Sequence, residues 1–173
     1  MAEITLCTGG VRSGKSSFAI TLAQKYKQEK AFIATAIALD DEMTLRIHAH
    51  QKNRSNNFLT IEEPYDVVSA INTIEKNIGV IVIDCLTVWL GNLFFKYENN
   101  ETAIIPCIDS LVHCLEHNHK NFIIVTNEIG WGIVPENKMA RQFRDISGYM
   151  NQSMAKIASE VLLFVCGIPL KIK

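Results

Sequence analysis

A chain of 173 residues, 48% of them hydrophobic, is long enough to fill one core and too short for two ordinary domains. Its 17 basic and 18 acidic residues leave a formal net charge of −1, which gives no basic footprint for nucleic acid or an anionic lipid surface. No charged leader precedes the first strand and no apolar run approaches the span of a bilayer, so the expectation is a cytoplasmic protein with no membrane insertion.

In chain order, residues 4–8 read as a short buried strand and residues 16–27 as the helix that follows. Between them Gly9, Gly10, Val11, Arg12, Ser13, Gly14, Lys15 and Ser16 fit the phosphate-loop pattern of a glycine, four free positions and Gly-Lys-Ser. Glycines let successive backbone N–H groups turn inward, and the helix N-terminus adds its partial positive charge to the same cavity. A polyphosphate fits such a cavity. Lys15 reaches its β- and γ-phosphates, and the Ser16 hydroxyl completes the shell of a bridging Mg²⁺. Arg12, inside the loop, adds a further positive contact.

Residues 31–35 form a second apolar strand. Asp40, Asp41 and Glu42 then favour a helix N-terminus, Met43 and Ile47 make an i, i+4 pair, and Arg46 and His50 share another face of a helix ending near Gln51. The polar run 52–57 reads as a surface loop and residues 58–61 as a strand. Pro64 is expected in the first turn of a helix carried by Val67, Val68, Ile71 and Ile74 to about residue 76. Residues 78–84 are a nearly unbroken β-branched run, as a parallel strand covered on both faces requires. Asp84 at its end fits a Walker B carboxylate, holding Mg²⁺ directly or through water.

Residues 86–97 read as a helix whose Trp89, Leu90, Leu93, Phe94 and Phe95 exceed the needs of one buried face, which predicts a subunit interface. Residues 104–117 form another helix with Pro106 near its start, and 121–128 the next parallel strand, with polar residues at the end where ligands gather. A glycine-hinged loop, 130–135, precedes a long helix over 137–159 with Phe143, Ile146, Met150, Met154 and Ile157 on one stripe. Residues 161–166 and 168–172 close the chain as a hairpin. Cys7, Cys85 and Cys166 sit in apolar strand contexts, read as reduced core thiols, and no Cys-x-x-Cys pair suggests structural zinc. The sum is a single α/β domain of the P-loop NTPase type, spanning 1–173, with a mostly parallel sheet flanked by helices and an antiparallel edge strand near the C-terminus.

Several blocks beyond the phosphate loop are informative together: Thr8 to the loop, Asp40-Asp41-Glu42-Met43 with Arg46-Ile47 and His50, and Val125-Thr126-Asn127-Glu128-Ile129-Gly130. They continue through Gly132-Ile133-Val134-Pro135-Glu136-Asn137, Ala140-Arg141, Phe143-Arg144-Asp145-Ile146, Gly148 and Asn151-Gln152. In this order they resemble the bifunctional adenosylcobinamide kinase / adenosylcobinamide-phosphate guanylyltransferase of cobalamin (vitamin B12) biosynthesis.

The resemblance implies two reactions. ATP or GTP phosphorylates the aminopropanol hydroxyl of adenosylcobinamide, and GMP then passes from GTP to adenosylcobinamide phosphate through a guanylyl-histidine. It implies that His50 carries GMP, that residues 9–16 hold the triphosphate, and that Ala34, Thr35, Ala36, Gln51, Lys52, Asn53 and Arg54 line the nucleotide site. Glu62 and Asp84 fall at nucleotide- or metal-contacting carboxylates, and the family assembles as a homotrimer.

The chemistry suits His50, because a neutral imidazole attacks α-phosphorus and the phosphoramidate is reactive enough to pass the group on. Arg46, Lys52 or Arg54 would offset charge building on the phosphate oxygens. Ala49 stands where many relatives carry a second histidine, which makes His48 a rival nucleophile, and Gln51 replaces a common basic residue. Glu128 and Asp145 are both candidate bases for the kinase step, and Trp131 could stack on a corrin or a base or simply pack. A single-activity kinase and a non-catalytic nucleotide switch are the rival readings.

Overall fold

The computed structural model describes residues 3–38 and 57–173. Its strands are β1 (Ile4–Gly9), β2 (Glu29–Ala34), β3 (Phe58–Glu62), β4 (Ile78–Asp84), β5 (Asn121–Val125), β6 (Glu160–Val165) and β7 (Ile168–Lys171). Its helices are α1 (Lys15–Gln24), α2 (Val67–Thr73), α3 (Leu86–Lys96), α4 (Glu101–Glu116) and α5 (Lys138–Ile157). The helix expected to end near Gln51 lies outside the described residues.

The strands form one sheet in the order β3-β2-β4-β5-β1-β6-β7. Every pairing is parallel except β6 with β7. Alternation along the strands sorts side chains onto two faces. Cys7, Phe32, Val80, Val82, Ile123 and Phe164 meet Ala19, Ile20 and Ala23 of α1. On the other face Leu6, Ile33, Ile81, Ile83 and Ile124 pack with α2, α3, α4 and α5. A sheet with helices on both sides explains why β4 is apolar up to the carboxylate at its end.

The apolar surplus of α3 is absorbed within the chain. Trp89, Leu90, Leu93 and Phe94 are all buried, each such side chain contributing about 1.5–3 kcal/mol, and only Phe95 stays exposed. The Trp89 indole N–H donates to the Tyr65 carbonyl at 2.8 Å, so its polar edge is satisfied.

Three local expectations are corrected. Pro64 is not in the first turn of α2: Asp66 is the cap, accepting from the Ser69 N–H at 2.9 Å, while the Glu63 carboxylate accepts from the Tyr65 and Asp66 N–H groups at 2.8 Å each. β5 ends at Val125 rather than residue 128: the Thr126 and Glu128 N–H groups still donate to the Cys7 and Gly9 carbonyls of β1 at 3.0 Å each, but the Asn127 N–H between them is taken by the Thr87 hydroxyl at 2.7 Å. Cys166 is not a core thiol. It is exposed at the hairpin tip with φ +52°, followed by Gly167 at +84°, the pair of positive angles of a type I′ turn.

Candidate active site

β1 delivers the phosphate loop to the C-terminal edge of the sheet. Gly9, with φ +137°, lies opposite Phe164 of β6, and a Cβ there would stand 2.5 Å from the Phe164 carbonyl oxygen. Only glycine permits that approach. Arg12 (φ +55°) and Gly14 (φ +94°) complete the turn into α1, whose N-terminus has no side-chain cap and no acidic residue in its first turn. Such a helix end receives anions.

Lys15 and Ser13 are buried within the loop, and Ser16 is half-buried at the helix start. The Lys15 ammonium donates to the Gly9 carbonyl at 3.0 Å, the Gly10 carbonyl at 2.6 Å and the Ser13 hydroxyl at 3.2 Å. Burial lowers its pKa, and the acidic groups Cys85, Asp84 and Cys7 oppose that shift. Asp84 therefore lies within the field of the loop's lysine, although β5 separates its strand from β1. Burial, aided by nearby carboxylates, pushes the Cys7 and Cys85 thiols up to about 12, which removes both as thiolates at neutral pH.

The edge beside Asp84 is built by short polar contacts. Ala34 pairs with Glu62 on one side and Asp84 on the other. Thr35, fully buried, donates its hydroxyl to the Cys85 carbonyl at 2.8 Å and accepts from the Cys85 N–H at 2.9 Å. Asn92 donates to the Thr35 and Pro64 carbonyls at 2.7 and 3.0 Å. Ala36 is half-buried and Glu62 exposed. Glu128 follows β5, its N–H donating to the Gly9 carbonyl at 3.0 Å, which sets it beside the phosphate loop. Asp145 is exposed on α5. His48, His50 and residues 51–54 lie outside the described residues.

Sequence reasoning overlooked the struts of this edge. The Thr126 hydroxyl donates to Asn151 at 2.8 Å and lies 3.2 Å from the Thr87 hydroxyl, which accepts from the Asn127 N–H at 2.7 Å. Asn151 in turn donates to the Asn127 carbonyl at 3.1 Å. The available signal was a cluster of uncharged polar residues at strand ends.

A mostly parallel sheet with a phosphate loop after β1 and a carboxylate at the end of β4 defines a P-loop NTPase-type nucleotide-binding protein. Solved structures agree on the fold: the RadB recombinase (TM-score 0.56, 14% identity, 93% of this chain and 73% of that one) and a type III secretion system ATPase from pathogenic bacteria (0.54, 10%, 98% and 56%). The family model described as cobinamide kinase / cobinamide phosphate guanyltransferase matches residues 5–172, and the chain belongs to that family. The bifunctional adenosylcobalamin biosynthesis protein CobU of Escherichia coli K12 is 39% identical over 97% of this chain and 98% of its own length. Its counterpart from Salmonella typhimurium LT2 has the same figures, and CobP of Pseudomonas aeruginosa PAO1 is 32% identical over 97% and 96%. The chain is therefore a bifunctional kinase and guanylyltransferase of cobalamin biosynthesis.

Proposed function

We propose that this enzyme phosphorylates the aminopropanol hydroxyl of adenosylcobinamide with ATP or GTP, and then transfers GMP from GTP to adenosylcobinamide phosphate through a guanylyl-histidine on His50. The carrying observation is the coincidence in one domain of a formed phosphate loop and family membership from residue 5 to residue 172.

In the kinase step the acceptor oxygen attacks the γ-phosphorus, the bond to the β-phosphate oxygen breaks, and the hydroxyl proton leaves to a base. Glu128 supports that role better than Asp145, because its backbone is bonded to Gly9 of the loop. Residues 9–16 hold the triphosphate, with Lys15 moving from the loop carbonyls to the phosphates. Ser16 and Asp84 would hold Mg²⁺, which would neutralise charge on the phosphate oxygens. Such an ion takes one or two protein ligands and completes its shell with phosphate and water.

In the second reaction an imidazole nitrogen of His50 attacks the α-phosphorus of GTP and pyrophosphate leaves. An oxygen of the acceptor phosphate then displaces the histidine, giving adenosyl-GDP-cobinamide. Ala34, Thr35, Ala36 and Glu62, at the ends of β2 and β3, flank the chain segment that carries His50 and the nucleotide-lining Gln51, Lys52, Asn53 and Arg54.

The test is incubation with GTP labelled at the α-phosphate, denaturation, and measurement of acid-labile, base-stable label on wild type, His50→Ala and His48→Ala. Label lost only in His50→Ala is expected. Label lost only in His48→Ala moves the role to His48, and no label on wild type that binds GTP with Mg²⁺ refutes the covalent route.

The working enzyme is a cytoplasmic homotrimer on this reading. Among the described residues no helix is long and apolar enough to cross a membrane. The hairpin supports assembly, because Val165, Ile168, Leu170 and Ile172 are each at least half exposed on one apolar side. Ile168→Glu with Leu170→Lys should sediment as a monomer where wild type sediments as a trimer.

A further inference from the structure

A groove of about 800 Å³ opens between the end of α3, the loop after β5 and the first turns of α5. Its volume lies in the range of small-molecule clefts. Phe94 and Phe143, packed edge to face with centroids 5.0 Å apart, form part of its lining, and Phe95 (83% exposed) and Ile133 (97% exposed) leave apolar surface facing solvent. Contiguous exposed apolar surface of this kind, here gathered along one groove, marks a binding face.

Arg144 lines the same groove, and its Nη1 is shielded from solvent with no hydrogen-bond partner among the described residues. A buried cationic donor left unpaired is costly, and an anion is the group that satisfies it. The Ser147 hydroxyl, one turn further along α5, and the Thr8 hydroxyl, in the strand that feeds the phosphate loop, are likewise buried without a partner. Thr8 and Leu6, two apart in β1, point to the same face of the sheet, and Leu6 belongs to the core cluster that includes Ile146 and Met150 of α5. These three orphaned polar atoms thus lie on the α5 side of the sheet.

The groove also opens at the correct edge. α5 descends to β6, which runs parallel beside β1, so the N-terminal turns of α5 stand at the end of the sheet where β1 delivers the phosphate loop. The groove's walls are mostly hydrocarbon, with Glu98, Asn99 and Arg144 the polar residues of the lining, and they suit a large organic body whose single anionic group is taken at Arg144.

Resting on the function proposed above, we infer that this groove is the acceptor site: it takes the corrinoid body of cobinamide, and Arg144 takes the phosphate that the first reaction installs. The site therefore favours the phosphorylated acceptor for the second reaction over the hydroxyl form used in the first.

The test is binding of cobinamide and of cobinamide phosphate to the full chain by equilibrium dialysis with visible absorbance, alongside GTP affinity, sedimentation and melting. Ile133→Asp should weaken both acceptors about 10-fold. Arg144→Gln should weaken cobinamide phosphate about 10- to 100-fold and cobinamide less than about 3-fold, with Arg144→Lys recovering part of the loss. GTP affinity should not change. If wild type binds both acceptors and the folded variants match it, the groove is not the acceptor site and the proposed function stands. Equal weakening of both acceptors by Arg144→Gln refutes the phosphate contact. Altered sedimentation with acceptor affinity retained makes the groove an interface between copies. Wild type that binds and modifies neither acceptor overturns the proposed function together with this site.

Discussion

Replacing Gly9 by alanine tests whether the phosphate loop is fixed by two backbones in close approach. A Cβ at Gly9 would stand 2.5 Å from the Phe164 carbonyl oxygen and 3.0 Å from the Phe164 nitrogen. Both atoms belong to a strand paired on its far side with β7, so no rotamer change relieves the contact. Ordinary van der Waals separation requires β1 and β6 to part locally by about 1 Å. A side chain at φ +137° adds about 1–3 kcal/mol of strain, and a weakened ladder hydrogen bond about 1 kcal/mol more. The total is about 3 kcal/mol, which for a domain of this size lowers Tm by about 6–12 °C. Gly10→Ala is the control, since nothing lies within 4 Å of a Cβ there, and its Tm should change by less than about 2 °C. Both are read by calorimetric melting without nucleotide. A Gly9→Ala Tm within about 2 °C of wild type, or equal damage from Gly10→Ala, would refute the close-approach argument.

Asn92→Ala removes the donor shared by the Thr35 and Pro64 carbonyls and should cost about 2 kcal/mol, seen as a lower urea midpoint at unchanged slope. The thiols make alkaline pH destabilising. Cys7 and Cys85 titrate near 12 when folded and 9.0 when unfolded, so above pH 9 the unfolded chain releases protons that the folded chain keeps. Stability is full below about pH 9 and falls as pH rises toward 12, by about 1 kcal/mol per thiol at pH 10. Denaturant midpoints at pH 8 and 10 check this, and Cys7→Ala should flatten the slope by about half.

The sequence displayed most clearly those features whose cause is local. β4 is recovered residue for residue at 78–84 because a β-branched run of that length is too short for a buried helix, and the phosphate loop is a spacing of residue types. Pro64 misled because proline is also favoured just before a helix, where here Glu63 and Asp66 take up the free N–H groups. Cys166 misled because its apolar neighbours belong to a strand that ends one residue earlier, and a turn requiring two positive φ angles left it at the tip. The apolar residues of α3 looked like surplus only because sequence does not show that α4, α5 and the sheet surround one helix. Arg144 stood within a conspicuous block, yet the lack of a partner for its Nη1 among the described residues is a property of packing.

The lysine of the phosphate loop has one further consequence. With its three donors on the Gly9 and Gly10 carbonyls and the Ser13 hydroxyl, Lys15 acts as an internal template that keeps the cradle in shape before any anion arrives. On the proposed reading, nucleotide capture is then an exchange, in which the ammonium surrenders three oxygens and gains phosphate oxygens in their place. On that reading, a diphosphate and a triphosphate would differ in whether the incoming chain is long enough to draw the lysine off. A loop that holds its own counter-partner need not fold on its ligand, and can release product by reversing a single side-chain movement.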